Sequence, residues 1–285
     1  MRFDKYEALG NDYLVVEQSG TGGSDLAAAV VSAVCDRHFG VGADGVLIED
    51  ATPDGHLALR VFNPDGSEAE KSGNGLRIFA RYLWDGGRVG SDPFAVITKG
   101  GAACCQIRDG GRSVFVEMGV ASFDSTAIPV DGPRREVVDE ELEVLGERLC
   151  FTAVTVGNPH CVVHVDAPSA ELCRHLGPAL EVHPLFPCRT NVQFVHVVDR
   201  RRIVMEIWER GAGRTLASGS SACAAAAASV RLGLCDGDVT VAMPGGELAI
   251  GVGAEFSVTL LGPVRKVACG NVADELLRDT GYGAR

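Results

Sequence analysis

The chain has 285 residues, of which 46% are hydrophobic, and this content allows two cores of ordinary domain size. Its formal net charge of -12 excludes a protein that binds nucleic acid through a basic surface, because no stripe of Lys and Arg is present to neutralise phosphates. No apolar run reaches the length of a membrane span, and the first residues lack a signal-peptide core. Ten cysteines without a secretory signal indicate reduced thiols, so we expect a cytoplasmic protein without a membrane or nucleic-acid partner.

Short strands dominate the predicted secondary structure. The strand-like runs are rich in β-branched or aromatic residues and are bounded by Gly, Asn, Asp or Pro. In chain order they cover residues 13–16, 45–48, 57–62, 114–116, 161–165 and 192–197. The acidic residues 139–141 are interpreted instead as the solvated face of a helix.

Two segments have the pattern of helices. Residues 75–84 carry apolar side chains at helical spacing, namely Leu76, Phe79, Ala80 and Leu83. Residues 221–232 are small and almost uncharged, which indicates a buried helix, and Gly233 can take the left-handed C-cap conformation. Each half of the chain is therefore predicted to be a sheet wrapped around one central helix.

The two halves repeat each other. Landmarks recur at an offset that drifts slowly from 147 to 145 residues, which is the signature of an internal duplication. The pairs are Gly10-Asn11 with Gly157-Asn158, Phe39 with Phe186, Asp44 with Asn191, Asn63 with Glu209, Ser72 with Ser218, and Gly100-Gly101 with Gly245-Gly246. The predicted fold is α+β with two pseudo-repeat domains, each a mixed or antiparallel sheet around a helix. The predicted boundaries are 1–122 and 123–285, and we leave open that the last strand returns to the first half.

Ser72 and Ser218 are equivalent positions of the repeat, and each precedes a predicted helix. A helix N-terminus after Gly-rich residues presents unpaired N–H groups and the positive end of the helix dipole, so each is a candidate anion site. If the two halves face each other, two such sites converge on one small molecule. That arrangement suits removal of a proton on one side of a carbon and its return on the other.

The ordered motifs of the chain resemble diaminopimelate epimerase, a family of amino-acid racemases that do not use pyridoxal phosphate. The matching segments are residues 8–13 (ALGNDY), 36–45 (DRHFGVGADG), 62–68 (FNPDGSE), 157–161 (GNPHC), 189–192 (RTNV), 209–213 (ERGAG) and 243–246 (MPGG). The resemblance implies stereoinversion at the α-carbon of LL- or meso-diaminopimelate, a step toward lysine and peptidoglycan precursors. It also implies an isomerase that needs no cofactor and no metal, and a homodimer.

Site residues follow from the same resemblance. Side chains that should hold the amino and carboxylate groups of the substrate are Asn11, Asn63, Asn158, Asn191, Glu209 and Arg210. The backbone of Gly73, Asn74, Gly219 and Ser220 should hold the carboxylate at the reacting carbon. His160 is either an auxiliary group that orients or relays a proton, or a packing residue at a strand start.

The family's two catalytic cysteines fall on Ser72 and Ser218. A thiol can be brought to a working thiolate by a helix N-terminus, whereas an alcohol is hardly ionised at neutral pH. Little activity is therefore expected from the chain as it stands.

Three accounts of the serines are open. In the first, two cysteines were replaced so that substrate is held without turnover. In the second, the chain is a natural relative that uses serine for racemisation, isomerisation or elimination on another amino acid. In the third, it is a non-catalytic binding protein. Ser221 either caps its helix or narrows the pocket, and Arg214 is either solvated or a second anion contact.

Overall fold

The computed structural model describes residues 1–17, 26–52 and 54–280, and it confirms the predicted α+β class. The strands are β1 (Arg2–Ala8), β2 (Asn11–Glu17), β3 (Val46–Ala51), β4 (Leu57–Phe62), β5 (Glu68–Ala69), β6 (Phe94–Thr98), β7 (Gly101–Arg108), β8 (Ser113–Val120), β9 (Glu140–Val144), β10 (Glu147–Thr155), β11 (Pro159–His164), β12 (Asn191–Asp199), β13 (Arg202–Glu209), β14 (Gly213–Thr215), β15 (Asp238–Met243), β16 (Gly246–Val252), β17 (Ser257–Pro263) and β18 (Arg265–Asn271). The α-helices are α1 (Ala28–Cys35), α2 (Gly73–Asp85), α3 (Ala170–Glu181), α4 (Gly219–Arg231) and α5 (Asp274–Asp279). Among the described residues, no helix is long and apolar enough to cross a membrane.

The chain divides into two compact units. The first comprises Met1–Val116 together with Gly262–Arg285, and the second comprises Glu117–Leu261. Residues 117–122, which the sequence analysis assigned to the first half, thus belong to the second unit. Near the C-terminus, β18 pairs antiparallel with β1, so this strand returns to the first unit.

The strand pairing of the first unit is repeated in the second. In the first unit β2 and β3 are parallel, with Leu14 opposite Val46, and β3 and β4 are antiparallel, with Val46 opposite Phe62. The equivalent contacts in the second unit place Cys161 opposite Val192 and Val192 opposite Trp208. The pairing of β4 with β5 and β6 recurs in the same way as that of β13 with β14 and β15. The offsets predicted from the landmarks therefore describe the register of the sheets.

The central helix of each unit is buried. In α2, the four apolar side chains predicted to face the core are all inaccessible to solvent, and so is the charged side chain of Arg77. In α4, every residue from Ala222 to Ser229 is buried. Because the side chains of α4 are short, strands can approach its backbone closely. This close packing accounts for the small, uncharged residues found nearly all round the helix.

Both helices begin two residues earlier than the sequence predicts. Residues 73–74 and 219–220, interpreted as turn residues, form the first helical positions, while Ser72 and Ser218 are the N-caps in extended conformation. A capping side chain makes the first turn helical despite the low helix propensity of Gly and Asn. Gly233 has a φ of 72° just after α4, as predicted for a left-handed cap.

The interpretation of residues 139–141 as a helix face is wrong. Glu140–Val144 forms strand β9, in which Leu142 and Val144 are buried while Glu141 and Glu143 are exposed. The alternation of polar and apolar residues has period two, which is the strand pattern. Charge content outweighed periodicity in the prediction.

A cross-strand ion pair is repeated between the units with its charges exchanged. In the first unit Arg60 on β4 binds Glu68 on β5, with Nε and Oε1 2.9 Å apart. At the equivalent positions of the second unit Glu206 on β13 accepts from Arg214 on β14, with Nε and Oε2 2.8 Å apart. The hydrogen bond that Arg214 donates to Glu206 raises the pKa of Arg214. Arg214 is thus engaged by a carboxylate of its own sheet, not free in solvent.

We expect that the acidic and the basic residue of this pair can exchange positions. Glu206→Gln should lower the free energy of unfolding by about 1–2 kcal/mol, because the Arg214 side chain, only 21% exposed, keeps its charge without a charged partner. The double variant Glu206→Arg/Arg214→Glu should recover most of this loss, since the first unit uses that polarity. Urea unfolding followed by tryptophan fluorescence measures both effects.

Glu141→Gln is the matched control, because its partner Arg148 is 3.7 Å away and both side chains are more than 60% exposed. It should change stability by less than about 0.5 kcal/mol. A charge-exchanged double variant less stable than Glu206→Gln would show that the surroundings, not the pair, fix the polarity.

Candidate functional site

The two serines are the N-caps of the central helices. Ser72 Oγ accepts a hydrogen bond from the backbone N–H of Gly75 at 3.0 Å, and Ser218 Oγ accepts from that of Ser221 at 3.5 Å. In each helix, two residues lie between the serine and the residue that donates to it, namely 73–74 in α2 and 219–220 in α4. Their N–H groups have no acceptor within the helix. Each serine therefore lies beside backbone donors and the positive end of a helix dipole.

In the first unit, amide side chains connect α2 to the β1–β2 turn. Asn74 Nδ2 donates to Asn11 Oδ1 at 2.9 Å, and Asn11 Nδ2 donates to Asp44 Oδ2 at 3.0 Å. On the other side, Nη2 of the buried Arg77 donates to Asn74 Oδ1 at 2.8 Å. The side chains of Asn11 and Asn74 are thus oriented between a buried cation and a carboxylate. Gly10, with a φ of 84°, makes the tight turn that presents Asn11.

Asp44 also joins a charged network at this turn. Its Oδ2 accepts from the backbone N–H of Asp12 at 3.0 Å, and its Oδ1 lies 2.6 Å from Arg37 Nη2. The same Arg37 and Lys5 both contact Asp12. Burial opposes ionisation of Asp12, but the hydrogen bonds from Arg37 and Lys5 outweigh it, and the pKa of Asp12 is lowered. The carboxylates of Asp12 and Asp44 are therefore paired with cations of the protein itself.

Asn63, the remaining predicted residue of the first unit, lies in the exposed turn between β4 and β5. Its Nδ2 donates to Ser67 Oγ at 3.0 Å. Its repeat equivalent, Glu209, accepts from Thr215 Oγ1 at 2.6 Å.

In the second unit, His160 occupies the centre of a buried polar chain. Its Nε2 is 2.9 Å from Asn158 Oδ1, and its Nδ1 is 3.1 Å from Gln193 Nε2. Burial, and secondarily the charge of Arg210, lowers the pKa of His160 to about 3. The imidazole is therefore neutral at physiological pH, and both ring nitrogens are used inside the protein. The orienting role is consistent with these contacts, whereas protonation of this ring is disfavoured.

Asn191 positions the start of the Arg210 loop. Its Oδ1 accepts from the backbone N–H of Arg210 at 3.0 Å, and its Nδ2 donates to the carbonyl of Pro159 at 2.8 Å. The guanidinium of Arg210 is anchored by the carbonyl of Cys188, at 3.1 Å from Nη1. Asn191 thereby links the loop that carries Arg210 to the strand that carries His160.

Three buried residues of these networks were not singled out from the sequence, namely Arg77, Glu181 and Gln193. Glu181 at the end of α3 is buried, and it accepts from the indole of Trp208 at 2.7 Å and from the N–H of Gly211 at 2.9 Å. It also contacts Arg189. A charged residue within an apolar helical pattern was the available signal for Arg77, and no comparable signal exists for Gln193.

Each unit thus assembles the predicted residues of its own half: Asn11, Asn74 and Gly73 with Ser72, and Asn158, His160, Asn191, Arg210, Gly219 and Ser220 with Ser218. Their substrate-binding roles stay predictions. Within the part of the chain that the structure describes, no group of three or more His, Cys, Asp or Glu side chains is arranged to hold a metal ion.

Comparison with solved structures defines the class of fold. A probable proline racemase from Agrobacterium radiobacter superposes with a TM-score of 0.71 at 15% identity, over 95% of this chain and 92% of that one. A hydroxyproline epimerase from Agrobacterium vitis gives a TM-score of 0.70 at 16% identity, over 96% and 92% of the two chains. At this level of identity the likeness concerns the fold, which is that of two-unit amino-acid racemases.

Sequence comparison narrows the class. The family model described as diaminopimelate epimerase matches residues 3–123 and 152–267. Diaminopimelate epimerase 2 of Nostoc sp. is 50% identical over 277 residues, which are 97% of each chain. The diaminopimelate epimerase of Pelotomaculum thermopropionicum is 41% identical over 275 residues, or 95% of this chain and 98% of that one. The chain therefore belongs to the diaminopimelate epimerase family.

The capping geometry predicts a stability cost for cysteine at the two positions. Ser72→Cys should lower the free energy of unfolding by about 1 kcal/mol, because a thiol accepts more weakly from the Gly75 N–H than the hydroxyl does. Ser218→Cys should cost less, since its capping distance is already 3.5 Å. Chemical denaturation well below the thiol pKa measures this difference.

Ser169→Cys is the control, since Ser169 caps α3 by accepting from Leu172 N–H at 3.1 Å and lies outside both predicted sites. It should resemble Ser72→Cys. A larger loss at Ser218 than at Ser72 would contradict the capping argument.

Because His160 is neutral in the folded protein, we expect the protein to lose stability in acid. Its folded-state pKa of about 3 lies below the ordinary 6.5, so the unfolded chain takes up the proton first as the pH falls. Stability from this group is present above pH 6.5 and is lost between about pH 6.5 and 3, by about 2 kcal/mol at pH 5. His160→Gln should flatten that part of the stability–pH profile. A ring of His160 that titrates near 6.5 in NMR spectra of the folded protein would refute this account.

Proposed function

We propose that this chain carries a diaminopimelate-binding site of the cofactor-independent epimerase type, in which serine replaces both acid/base thiols. The observation that carries the proposal is the duplicated capped helix, with Ser72 and Ser218 as equivalent N-caps at the first backbone amides of α2 and α4. The family membership and the 50% identity to a diaminopimelate epimerase support the choice of substrate. Stereoinversion at the α-carbon is the reaction that such a site would perform.

The polar side chains around each cap support recognition of an amino diacid. Arg210 offers a guanidinium suited to a bidentate contact with a carboxylate, and its backbone is fixed by Asn191. Glu209 offers an acceptor for an ammonium group. Backbone donors at positions 73–74 and 219–220 suit the carboxylate next to the reacting carbon, because helix N-termini stabilise anions. No cofactor is needed for this recognition.

Serine limits the chemistry at both positions. A cysteine at a helix N-terminus has its thiol pKa lowered toward or below neutrality, which supplies a thiolate base and leaves a thiol as acid. A serine hydroxyl in the same place needs a general base, and His160 is a poor one, because burial lowers its pKa and its nitrogens contact Asn158 and Gln193. We therefore propose that the chain binds substrate and exchanges its α-proton slowly or not at all. A homodimer in the cytoplasm, implied by the resemblance, stays a prediction.

The decisive experiment is α-proton exchange of diaminopimelate in deuterated water, followed by NMR. The chain as it stands should show little exchange, whereas Ser72→Cys/Ser218→Cys should exchange and interconvert the LL and meso forms. Each single Ser→Cys variant should favour one stereoisomer, since one thiolate removes a proton but its partner must donate the other.

Ser169→Cys adds a thiol at an N-cap outside the proposed site and should not restore exchange. Rapid exchange by the unchanged chain would instead favour a relative that uses serine with another base. A double variant that folds, binds no diaminopimelate and exchanges nothing would refute the proposal.

A further inference from the structure

The second unit contains a buried chain of hydrogen bonds that leads from α4 to the side chain of Asn158. Ser221 on α4, Gln193 on β12 and His160 on β11 are all fully buried, whereas Asn158 at the other end is partly exposed. The chain thus connects the interior of the unit with a residue predicted to contact substrate.

The position of the Gln193 amide sets the direction of these hydrogen bonds. Gln193 Nε2 lies 3.1 Å from Ser221 Oγ and 3.1 Å from His160 Nδ1, so its two N–H groups donate to both. Nδ1 is then an acceptor, and the proton of the neutral imidazole is on Nε2. That N–H donates to Asn158 Oδ1 at 2.9 Å. With its oxygen held in this way, Asn158 offers its amide nitrogen to a ligand.

The opposite polarity is chemically possible but requires both amides that contact His160 to turn over. If the Gln193 amide were turned over, its oxygen would accept from Nδ1–H, and Asn158 would donate to Nε2 and present its oxygen to a ligand. In the observed arrangement Gln193 Oε1 is buried without a hydrogen-bond partner among the described residues. Turning the amide would place two donors where one acceptor now lies. The Ser221 hydroxyl accepts from the Gln193 amide as observed but can also donate to a turned amide, so it does not decide between the two. The observed orientation is favoured because Gln193 Nε2 at Nδ1 and Asn158 Oδ1 at Nε2 agree on the same tautomer.

The equivalent amide of the first unit is held differently. Asn11 Oδ1 accepts from Asn74, and Asn11 Nδ2 donates to Asp44, so both ends of that amide are engaged. Asn158 has its oxygen engaged by His160, and the direction of that one bond decides what it offers. Whether Asn158 presents a donor or an acceptor to a ligand therefore depends on the buried hydrogen bonds made by His160.

We infer that Gln193 and Ser221 are positioning residues that hold His160 as the Nε2–H tautomer and thereby make Asn158 a hydrogen-bond donor to a substrate carboxylate. The inference rests on the proposed function, because it takes an amino diacid as the ligand. It assigns Asn158 to a carboxylate of that diacid and not to an ammonium group.

The tautomer is tested without any ligand. Long-range proton–nitrogen NMR of the full chain labelled with nitrogen-15 distinguishes Nε2–H, Nδ1–H and doubly protonated rings, and a His160→Gln sample identifies the His160 signals. We expect only Nε2–H for the unchanged chain near neutral pH. Gln193→Met removes both donors at similar length, and it should produce a detectable Nδ1–H population. Ser221→Ala, a smaller change, should shift the population in the same direction.

The consequence for recognition is tested by calorimetry with meso-diaminopimelate and with pimelate, the same diacid without amino groups. Gln193→Met should weaken both ligands by roughly 10-fold, the factor expected for one lost hydrogen bond to a charged group. If Gln193 had a purely structural role, Gln193→Met would lower the stability of the protein but would not change both the His160 tautomer and the affinity for pimelate. Where Gln193→Met does not fold, Ser221→Ala provides the same comparison.

Gln106→Met is the matched control, since Gln106 is in the first unit and donates to the carbonyl of Ser91. It should leave both the tautomer and the affinities unchanged. An Nδ1–H ring in the unchanged chain overturns the inference, and so does a changed tautomer with unaltered affinities. Absence of diaminopimelate binding by the unchanged chain contradicts the proposed function, and with it the assignment of Asn158, even if the spectrum shows Nε2–H.

Discussion

The first backbone amides of α2 and α4, which have no acceptor within their own helix, are the constraint on which the surroundings of both serines depend. A buried helix must have its first N–H groups satisfied by a side chain, by water or by a ligand. Here one amide of each first turn is satisfied by a serine hydroxyl, at 3.0 Å for Ser72 and 3.5 Å for Ser218. The amides that precede it lie at the positive end of the helix dipole. The same backbone feature therefore shapes the helix end and gives it the positive potential on which the proposed recognition of a carboxylate rests.

The duplication repeats this backbone but not its chemistry. The buried Arg77 of α2 corresponds to the buried Cys223 of α4, and Asp44 corresponds to Asn191. The cation and carboxylate of the first unit orient a chain of amides between them, whereas the second unit uses a neutral imidazole for the same purpose. Even the ion pair of Arg60 and Glu68 returns with its charges exchanged. The two units therefore share one backbone arrangement but differ in their electrostatics.

Much of the fold could be predicted from the sequence because its signals are local or periodic. Strand 57–62 has the predicted bounds, and the repeat offset describes the sheet register. The errors arose where one local signal outweighed another, as at residues 139–141, where charge obscured an alternating strand pattern. Helix starts were displaced because glycine indicates a turn, although the cap at Ser72 makes it helical. Gln193 could not be found, because its role follows from burial between two elements distant in sequence.

The identity of the capping residue joins stability to reactivity. Serine is among the best N-caps because its oxygen accepts well from the first turn, and it lowers the free energy of the helix end without any need to ionise. A cysteine at the same place caps weakly as a thiol, and the helix dipole stabilises it as a thiolate. The interaction that makes a thiolate available for proton transfer is thus the same one that makes it a good cap. With serine at positions 72 and 218, both helix ends are stabilised by a neutral group, and the capping residue does not compensate the positive potential of the helix dipole.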